Sequence, residues 1–369
     1  MSLKKIENKV LSGKRLSPED GITLFESDDL FTIGRLASHV ARQKNGNNAY
    51  YVRNHHINPT NICVNRCKFC AFSRSKGDKG AYELDIKKII KKLKVHTRKR
   101  TSNGRRTTDN GPRSFSEVHI VGGLHPDWPF EFYLEMLGDI KKAFPDLHIK
   151  AFTAVEIDYF SKISGMGLAD TLNALKEAGL GSMPGGGAEI FNSRVRNKIC
   201  PEKISGKKWL QVMETAHHTG IKTNATMLYG HVEKHKHRVE HMLRLRDLQD
   251  KTVGFQAFIP LAFHPLNTNI KGAEYTSGID DVKTIAIGRL FLDNFPHIKA
   301  YWIMLGEKIA QLALMFGADD LDGTIIEEKI THSAGAQSGI AMTKEELVNL
   351  IEKAGKVPVE RDSYYRALR

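Results

Sequence analysis

The stretch VHIVGGLHPDWPFEFYLEMLGDIKKAFPDLHIKAFTAV, residues 118–155, indicates the fold class of the chain. Its first and last segments, 118–123 and 148–155, are short runs of apolar and small residues, typical of strands buried on both faces. Residues 130–144 between them repeat apolar side chains at helical spacing. A strand, a helix and a second strand in this order form the unit from which parallel α/β sheets are built.

The same alternation continues along most of the chain and predicts a barrel. Eight strands that alternate with helices are typical of an α/β fold of the (β/α)8 TIM type, in which active sites lie in the loops after the strands. A doubly wound open sheet is the alternative, which the lack of a GxGxxG fingerprint disfavours. The predicted strands are 50–58, 118–123, 148–155, 180–184, 222–230, 255–261, 298–305 and 321–326.

The regions on either side of the predicted barrel differ from it in pattern. Residues 1–45 are predicted to form an N-terminal helical extension, 46–330 the barrel, and 331–369 a C-terminal tail with one helix. In that last helix Thr343 is the expected N-cap, and Glu346 would complete a capping box with it.

The composition excludes several classes of protein. The 369 residues are 41% hydrophobic and 26% charged, which is ordinary for a globular protein with a full core. The chain has no apolar run of about 18 residues and no apolar signal segment, so we expect a soluble, cytoplasmic protein without membrane insertion. Four cysteines, with Cys200 isolated from the other three, do not make a disulfide framework; they fit reduced thiols or a metal site.

A basic stretch between Lys87 and Arg106 contributes to the net charge of +13. It is compatible with a nucleic-acid or membrane patch, or with a helix whose solvated basic face runs into a polar loop. No aromatic residues are interleaved with the charges, as they are in single-strand binding surfaces. We therefore expect residues 94–114 to be a mobile basic insertion, and we expect no nucleic-acid partner.

The segment NICVNRCKFCAF, residues 61–72, holds three of the four cysteines: Cys63, Cys67 and Cys70. Three thiols so close together indicate a metal site. A structural zinc ion needs four ligands, and the fourth would have to be Cys200 or a histidine. An iron–sulfur cluster fits better, because cysteine thiolates are its usual ligands and uneven spacings suit its corners. Three cysteines then leave one iron open for a small molecule.

The spacing CxxxCxxC, with Phe69 before the last cysteine, resembles the signature of the radical S-adenosylmethionine (SAM) superfamily. The resemblance implies that Cys63, Cys67 and Cys70 bind a [4Fe–4S] cluster and that SAM occupies the open iron, with Phe69 beside it. It also implies that the cluster reduces SAM to a 5′-deoxyadenosyl radical, with electrons from a donor such as flavodoxin or ferredoxin. The motif follows the first predicted strand, as it does in the superfamily.

A glycine pair after the second predicted strand resembles the glycine-rich SAM-binding position of the superfamily. Because Gly122 and Gly123 have no side chains, the SAM amino group could reach their backbone groups. Leu124 stands where the superfamily often has an acidic residue, so the resemblance implies only the backbone role. An ordinary tight turn is the alternative.

Carboxylates in other loops are further candidates for binding SAM. YGHVE, residues 229–233, resembles another SAM-binding motif, which implies that Gly230 and Glu233 lie near the adenosyl group. Glu156 and Glu189 lie at the predicted mouth of the barrel, where they could accept hydrogen bonds from the ribose hydroxyls or the SAM ammonium.

Longer segments narrow the resemblance within the superfamily. SMPGGGAEIF (182–191), FIPLAFHPLNT (258–268) and LDGTIIEEKITHSAGAQS (321–338) resemble the aminofutalosine synthases of menaquinone biosynthesis. Dehypoxanthine futalosine cyclases and the deazaflavin-precursor synthases share PGGGAE and LRDLQD (245–250) with them, so these two families are the alternatives.

The resemblance to the synthases implies an unusual radical reaction. The adenosyl radical would add to the enol-ether double bond of 3-[(1-carboxyvinyl)oxy]benzoate. Rearrangement and loss of a carboxyl carbon would give 6-amino-6-deoxyfutalosine, with SAM consumed as a co-substrate. In the cyclases a hydrogen atom is abstracted instead. A zinc-stabilised protein that binds nucleic acid is a remote alternative, which leaves the eightfold strand pattern unexplained.

The implied substrate carries two carboxylates on an aromatic body, so its pocket needs cationic or N–H donors around an apolar slot. Arg194 could pair with a carboxylate or form a surface salt bridge, and a lone histidine is more often structural than functional. The substrate-binding candidates are His55, Arg194, His264, Asn267, Thr268 and His332.

Overall fold

The computed structural model describes residues 2–96 and 115–368, and most of the basic insertion predicted at 94–114 lies outside them. No helix in the described residues is long and apolar enough to cross a membrane. In chain order the elements are α1 Leu3–Leu11, α2 Pro18–Glu26, α3 Leu30–Asn45, β1 Asn48–Val52, β2 Asn54–Ile57, α4 Ile86–His96, β3 Glu117–Ile120, α5 Phe130–Ala143, β4 His148–Ala151, α6 Ala154–Ser164, α7 Leu168–Ala178, β5 Ser182–Met183, α8 Ser193–Ile199, α9 Gly206–His218, β6 Lys222–Tyr229, α10 His235–Thr252, β7 Phe255–Ala262, α11 Gly278–Phe291, β8 His297–Ile298, α12 Trp302–Leu305, α13 Glu307–Ala313, β9 Asp320–Gly323, α14 Ile330–Ser333, α15 Lys344–Lys353 and β10 Val357–Glu360.

Parallel strands form the predicted barrel. Seven of them pair in the order β2-β3-β4-β5-β6-β7-β8. The chain at and after β9 bridges the two ends of this sheet: the Ala300 amide donates to the Asp320 carbonyl (2.8 Å), and the His56 amide donates to the Ile326 carbonyl (2.9 Å). Neighbouring strands are therefore consecutive around the barrel, and the α/β fold of TIM type is confirmed.

Three helices precede the barrel and share its core. A capping box between Ser17 and Asp20 begins α2, and the Asp29 side chain caps α3. Helix α3 packs against α11, and α2 packs against α10 and α11. Apolar residues of these helices, such as Leu24 and Ile33, belong to the same buried cluster as the barrel strands.

The predicted strand at 298–305 is wrong over most of its length. Only His297–Ile298 forms a strand, and Trp302–Leu305 forms the short helix α12. Aromatic and branched residues favour a strand locally, but strand propensity depends strongly on context. Here the buried Trp302 indole donates its Nε1–H to the Gly323 carbonyl on β9 (2.9 Å), which the helical turn allows.

The C-terminal tail contains more than the single helix predicted for 331–369. Helix α15 has the expected capping box between Thr343 and Glu346, and the short helix α14 begins at Ile330. In addition, β10 pairs in parallel with β1, which β9 flanks on its other side. The four residues of β10 include a proline and show no strand pattern by themselves, so the pairing depends on β1.

Arg361, directly after β10, joins the tail to the barrel. Its Nε donates to Asp320 Oδ2 over 2.7 Å, and both side chains are fully buried. Removing one partner of a buried ion pair leaves the other charge uncompensated, so we expect Arg361→Met to lower the free energy of unfolding in urea by about 3–5 kcal/mol. Arg366→Met is the control, because its pair with Asp362 is largely exposed and should be worth less than about 1 kcal/mol. Similar losses in both variants would contradict this role of Arg361.

Candidate active site

A cavity of about 340 Å³ opens at the carboxyl ends of the barrel strands. Loops that follow several different strands contribute to its wall, as expected for the active-site end of a TIM barrel. Nine of the residues predicted from the sequence line it: Cys63, Cys67, Phe69, Cys70, Gly122, Gly123, Glu156, Glu189 and His264.

The loop after β2 presents three free thiols to this cavity, those of Cys63, Cys67 and Cys70. Main-chain hydrogen bonds fix the shape of the loop. The Cys63 amide donates to the Arg74 carbonyl (3.1 Å), and the Cys70 amide donates to the Cys67 carbonyl (3.0 Å). The thiols are therefore held by the backbone and do not depend on contacts between their own side chains.

The donor set fits an iron–sulfur cluster. Burial raises the pKa of the Cys67 thiol to about 12, so a bound metal must stabilise its thiolate at neutral pH. In residues 2–96 and 115–368, no three His, Cys, Asp or Glu side chains converge as ligands of one ion. A [4Fe–4S] cluster is a larger body whose ligands need not converge on one point, and cysteine thiolates are its usual ligands. Cys200, the candidate fourth zinc ligand, does not line the cavity.

The glycine pair after β3 packs against the start of the cysteine loop. The Gly123 amide donates to the Thr60 carbonyl over 2.9 Å. A Cβ at Gly123 would lie 2.2 Å from the Ile62 carbonyl oxygen, whereas at Gly122 the nearest atom would be 3.1 Å away. Gly123 is therefore required for the close approach of two backbone segments, one of which leads directly into Cys63.

Glu156 is part of a helix N-terminus that faces the cavity. Its Oε2 accepts from the Thr153 amide (2.7 Å) in a capping box, and its Oε1 accepts from the Gly122 amide (3.2 Å). Burial raises the pKa of this carboxyl to about 7. Glu156 thus links α6 to the glycine pair and changes its charge near neutral pH.

Glu189 and Lys203 form an ion pair in the cavity wall, with 2.6 Å between Oε1 and Nζ. The same ammonium lies 4.8 Å from the Phe69 ring centroid and favours a negative charge on Cys67. Burial opposes ionisation of Glu189, but Lys203 outweighs it and lowers the pKa of the carboxyl. Glu189 also has a φ of +45°, a conformation that side chains seldom adopt outside functional or strongly held positions. The surrounding sequence of Lys203, KICPEK, carries no motif that predicts this position.

Arg194 is exposed and lies outside the cavity lining, so the structure does not place it near a substrate carboxylate. Arg196 is the buried arginine of α8. Its guanidinium donates to the carbonyls of Ala188 and Ile204, each over 2.5 Å. Arg194 and Arg196 are two positions apart, which is about 200° around a helix. One side chain therefore points outward and the other inward. Arg196 therefore positions the loop that carries Glu189.

The structure corrects the expected positions of Gly230 and Glu233, which lie outside the cavity lining. The Glu233 carboxylate accepts from the amides of Gly230 (2.7 Å) and His231 (2.9 Å) and from Arg238 Nε (2.8 Å). These bonds hold the turn between β6 and α10.

The histidine on β2 that faces the cavity is His56, not the predicted His55. Successive side chains of a strand point to opposite faces, and both His56 and Asn58 line the cavity. The His55 ring instead packs edge-on against Phe115, with 5.3 Å between ring centroids. Alternation of side chains along β2 would identify His56 once it is known which residues of the strand face the barrel interior.

Two further predicted histidines lie at the rim of the cavity. His264 lines it directly, and its Nε2 is 2.9 Å from the Met304 carbonyl oxygen. His332 lies outside the lining, but its Nδ1 is 2.8 Å from Oε2 of Glu328, which does line the cavity. His332 is therefore a candidate to position Glu328 rather than to bind a substrate itself.

Asn267 and Thr268 support their own loop and do not line the cavity. The Asn267 side-chain amide donates to the Ser333 carbonyl (3.0 Å), and the Thr268 hydroxyl donates to the Pro265 carbonyl (2.7 Å). The structure thus shows both side chains supporting the loops near the cavity, and their contact with substrate stays a prediction.

Buried charged residues line the inner part of the cavity, below the loops. Lys150 Nζ lies 2.7 Å from Glu117 Oε2, and Lys299 Nζ lies 2.5 Å from Asp322 Oδ1. Buried charges are costly unless they are paired, and removing either partner is strongly destabilising. Lys150, Lys299 and Asp322 stand within runs predicted as buried strands, and Glu117 directly precedes one. Only the barrel geometry shows that these side chains face its interior.

Comparisons with known families agree with this geometry. Residues 57–245 match the radical SAM superfamily, and residues 252–369 match the CofH/MqnC C-terminal region. The first match contains the cysteine loop, the glycine pair, Glu156 and Glu189.

Similar proteins of known activity align over almost the full chain. An aminodeoxyfutalosine synthase from Thermus thermophilus is 47% identical, with 99% of this chain and 95% of the relative covered. The Streptomyces coelicolor aminodeoxyfutalosine synthase is 44% identical, with 99% and 94% covered. A 5-amino-6-(D-ribitylamino)uracil–L-tyrosine 4-hydroxyphenyl transferase from Methanopyrus kandleri is 40% identical, with 90% and 88% covered.

Solved structures with the same fold are much more distant in sequence. Methylornithine synthase has a TM-score of 0.73 at 18% identity and covers 96% of this chain and 97% of its own. The FeFe-hydrogenase maturase HydG from Carboxydothermus hydrogenoformans has a TM-score of 0.72 at 17% identity, with 98% and 80% covered. At this identity the likeness supports the barrel fold alone.

Proposed function

The chain belongs to the radical SAM superfamily and, within it, to the aminodeoxyfutalosine synthase family. On that premise we propose that it joins the adenosyl group of SAM to 3-[(1-carboxyvinyl)oxy]benzoate. The product would be 6-amino-6-deoxyfutalosine, formed with loss of a carboxyl carbon and release of methionine. The observation that carries the proposal is that one cavity is bordered by the three cysteines, the glycine pair and two buried glutamates.

The cysteine loop would hold the cluster. Members of the superfamily use a [4Fe–4S] cluster and SAM, and the cluster supplies the electron that cleaves SAM. Cys63, Cys67 and Cys70 are the thiol ligands, and backbone hydrogen bonds hold the loop that carries them. Lys203 adds a positive charge beside the loop through its contact with Phe69.

The adjoining loops would hold SAM, which is consumed as a co-substrate. Gly122 and Gly123 line the cavity without side chains, so SAM can approach the backbone there. Glu156 and Glu189 line the same cavity and would offer carboxylates to the amino group and the ribose hydroxyls of SAM. Addition to a double bond requires the two carbons to be held near contact, so positioning contributes more than acid–base chemistry.

Two sister activities are the alternatives. A cyclic dehypoxanthine futalosine synthase from Streptomyces coelicolor is 36% identical, and the hydroxyphenyl transferase from Methanopyrus kandleri is 40% identical. Both identities are lower than the 47% and 44% of the two aminodeoxyfutalosine synthases. This order favours the synthase reaction over the other two.

We also propose a cytoplasmic setting with a one-electron donor such as flavodoxin or ferredoxin, and no nucleic-acid partner. Cys63 and Cys70 are only partly buried, which leaves the cysteine loop accessible to such a donor.

The proposed reaction can be tested with anaerobically reconstituted, dithionite-reduced enzyme, SAM and the enol-ether benzoate. Mass spectrometry should detect an adduct that contains both the adenosyl and benzoate parts, together with equimolar methionine. Omission of the benzoate is the control and should give no adduct. Free 5′-deoxyadenosine without adduct would contradict the synthase reaction and indicate a sister activity, and the lack of any SAM cleavage would contradict the radical SAM assignment.

A further inference from the structure

The inner end of the cavity contains a layer of basic side chains. His56 on β2 pairs in register with His119 on β3, and His119 pairs in register with Lys150 on β4. Residues at one register on neighbouring strands lie at one level of a barrel. The two imidazole rings are 4.6 Å apart between centroids, and all three side chains line the cavity.

Two nitrogen atoms in this layer are buried without a hydrogen-bond partner. Among the described residues, neither His56 Nε2 nor His119 Nε2 has one, and the His56 side chain belongs to a residue only 6% exposed. An unsatisfied buried polar group destabilises the free protein, and a ligand that pairs with the group recovers that free energy. Two imidazole N–H groups beside the Lys150 ammonium match the acceptors of a carboxylate.

We propose that His56, His119 and Lys150 bind the ring carboxylate of the substrate, and that one proton is taken up by the imidazole pair on binding. The proposal rests on the proposed function. His119 lies three residues before Gly122, which corresponds to about 10 Å along a strand. The double bond that reacts with SAM belongs at the level of the glycine pair and the cysteines, so the opposite end of the substrate reaches the histidine layer.

The proton uptake follows from the charges around the layer. Burial lowers the pKa of both imidazoles, that of His119 to about 3, so both are neutral in the free protein at pH 7. A carboxylate bound beside them raises these pKa values. The charged groups that face the layer are Glu117 on β3, Lys150 on β4, Lys299 on β8, Asp322 on β9 and Glu328 after β9.

The lowered pKa of the free imidazoles and the higher pKa in the complex together determine how the Kd for the substrate changes with pH. Below the lowered pKa of the free imidazole the proton is already present, so the Kd for the substrate does not change with pH. Between that value and the higher pKa of the complex, each pH unit weakens binding by up to about tenfold. At neutral pH the substrate should therefore bind more weakly as the pH rises.

Titration calorimetry on reconstituted enzyme with SAM and without reductant tests this. The ligands are the enol-ether benzoate and its ring carboxamide, each measured at pH 6.5 and 8 in two buffers of different ionisation enthalpy. The benzoate should bind with uptake of about one proton and with a Kd that rises with pH, whereas the carboxamide should show neither. Equal behaviour of the two ligands would overturn the inference.

His56→Gln and His119→Gln keep an N–H donor but cannot take up a proton. We expect each to weaken benzoate binding by about 10- to 100-fold and reduce proton uptake, with little change for the carboxamide. The control is His55→Gln on the outward face of the same strand, which should bind like the wild type. Iron content and Tm establish that each variant is folded, and equal weakening of both ligands would show a purely structural role and overturn the inference.

The two proposals fail separately. Formation of the adduct without the carboxylate-dependent proton uptake would overturn the binding site and leave the synthase reaction standing. In the opposite case, the wild type takes up a proton on binding the benzoate, His119→Gln does not, and the reduced wild type forms no adduct. That result would support the carboxylate site and overturn the synthase reaction.

Discussion

Cys63→Ala, Cys67→Ala and Cys70→Ala are each expected to abolish the intact cluster and with it all SAM cleavage. Each substitution removes one of the three cysteine side chains that border the cavity, and cysteine thiolates are the usual protein ligands of such clusters. Iron and sulfide content after anaerobic reconstitution measures the cluster. Methionine and 5′-deoxyadenosine released under dithionite measure SAM cleavage, which should fall to the background without enzyme.

Cys200→Ala is the matched control for these three variants. Cys200 is buried but lies outside the cavity lining, and burial raises the pKa of its thiol to about 11. It behaves as a small apolar side chain in the core. Its variant should therefore keep wild-type iron content and SAM cleavage. Loss of the cluster in Cys200→Ala, or its retention in any of the other three, would contradict the assignment of the ligands.

Gly123→Ala is expected to lower the rate of SAM cleavage by about 100-fold, because displacement of reacting groups by about 1 Å has an effect of this size. The added Cβ would lie 2.2 Å from the Ile62 carbonyl oxygen, which is backbone and cannot rotate away. The start of the cysteine loop must then move. Single-turnover SAM cleavage per bound cluster measures the effect separately from any loss of iron.

Gly138→Ala is the control for a glycine that has space around it. Gly138 lies inside α5, and a Cβ there would meet no atom within 4 Å. Alanine in a helix interior is favoured over glycine by about 1 kcal/mol, so this variant should be slightly more stable and fully active. Wild-type SAM cleavage in Gly123→Ala would contradict the close approach of the glycine pair to the cysteine loop.

Local sequence patterns are sufficient to predict the βαβ units and the cysteine loop. The βαβ unit at 118–155 is observed as β3, α5 and β4, followed by the start of α6 at Ala154. The cysteine loop is predicted because cysteine is rare in the chain and its spacing is specific, whereas the glycine pair is implied by the resemblance to the superfamily. In each case the information lies within a few consecutive residues.

Features that depend on a distant partner were missed. β10 needs β1, and α12 needs the contact of Trp302 with Gly323. A single strand shows alternation but does not show which of its faces is the interior, so the sequence does not distinguish His55 from His56. Arg194 is predicted as a substrate ligand from its place in the first turns of a helix, but whether it faces the cavity depends on how that helix packs.

The alternation of strands and helices, the barrel class and the cysteine motif follow from the order of residues along the chain, because short-range periodicity and residue type encode them. Which side chains meet in the cavity depends instead on the folded barrel. Lys203 reaches Glu189 and Phe69, and His56 and His119 stand beside Lys150, because closure of the barrel brings separate strands to one level. Burial then sets the charge of these groups, and burial depends on the whole fold.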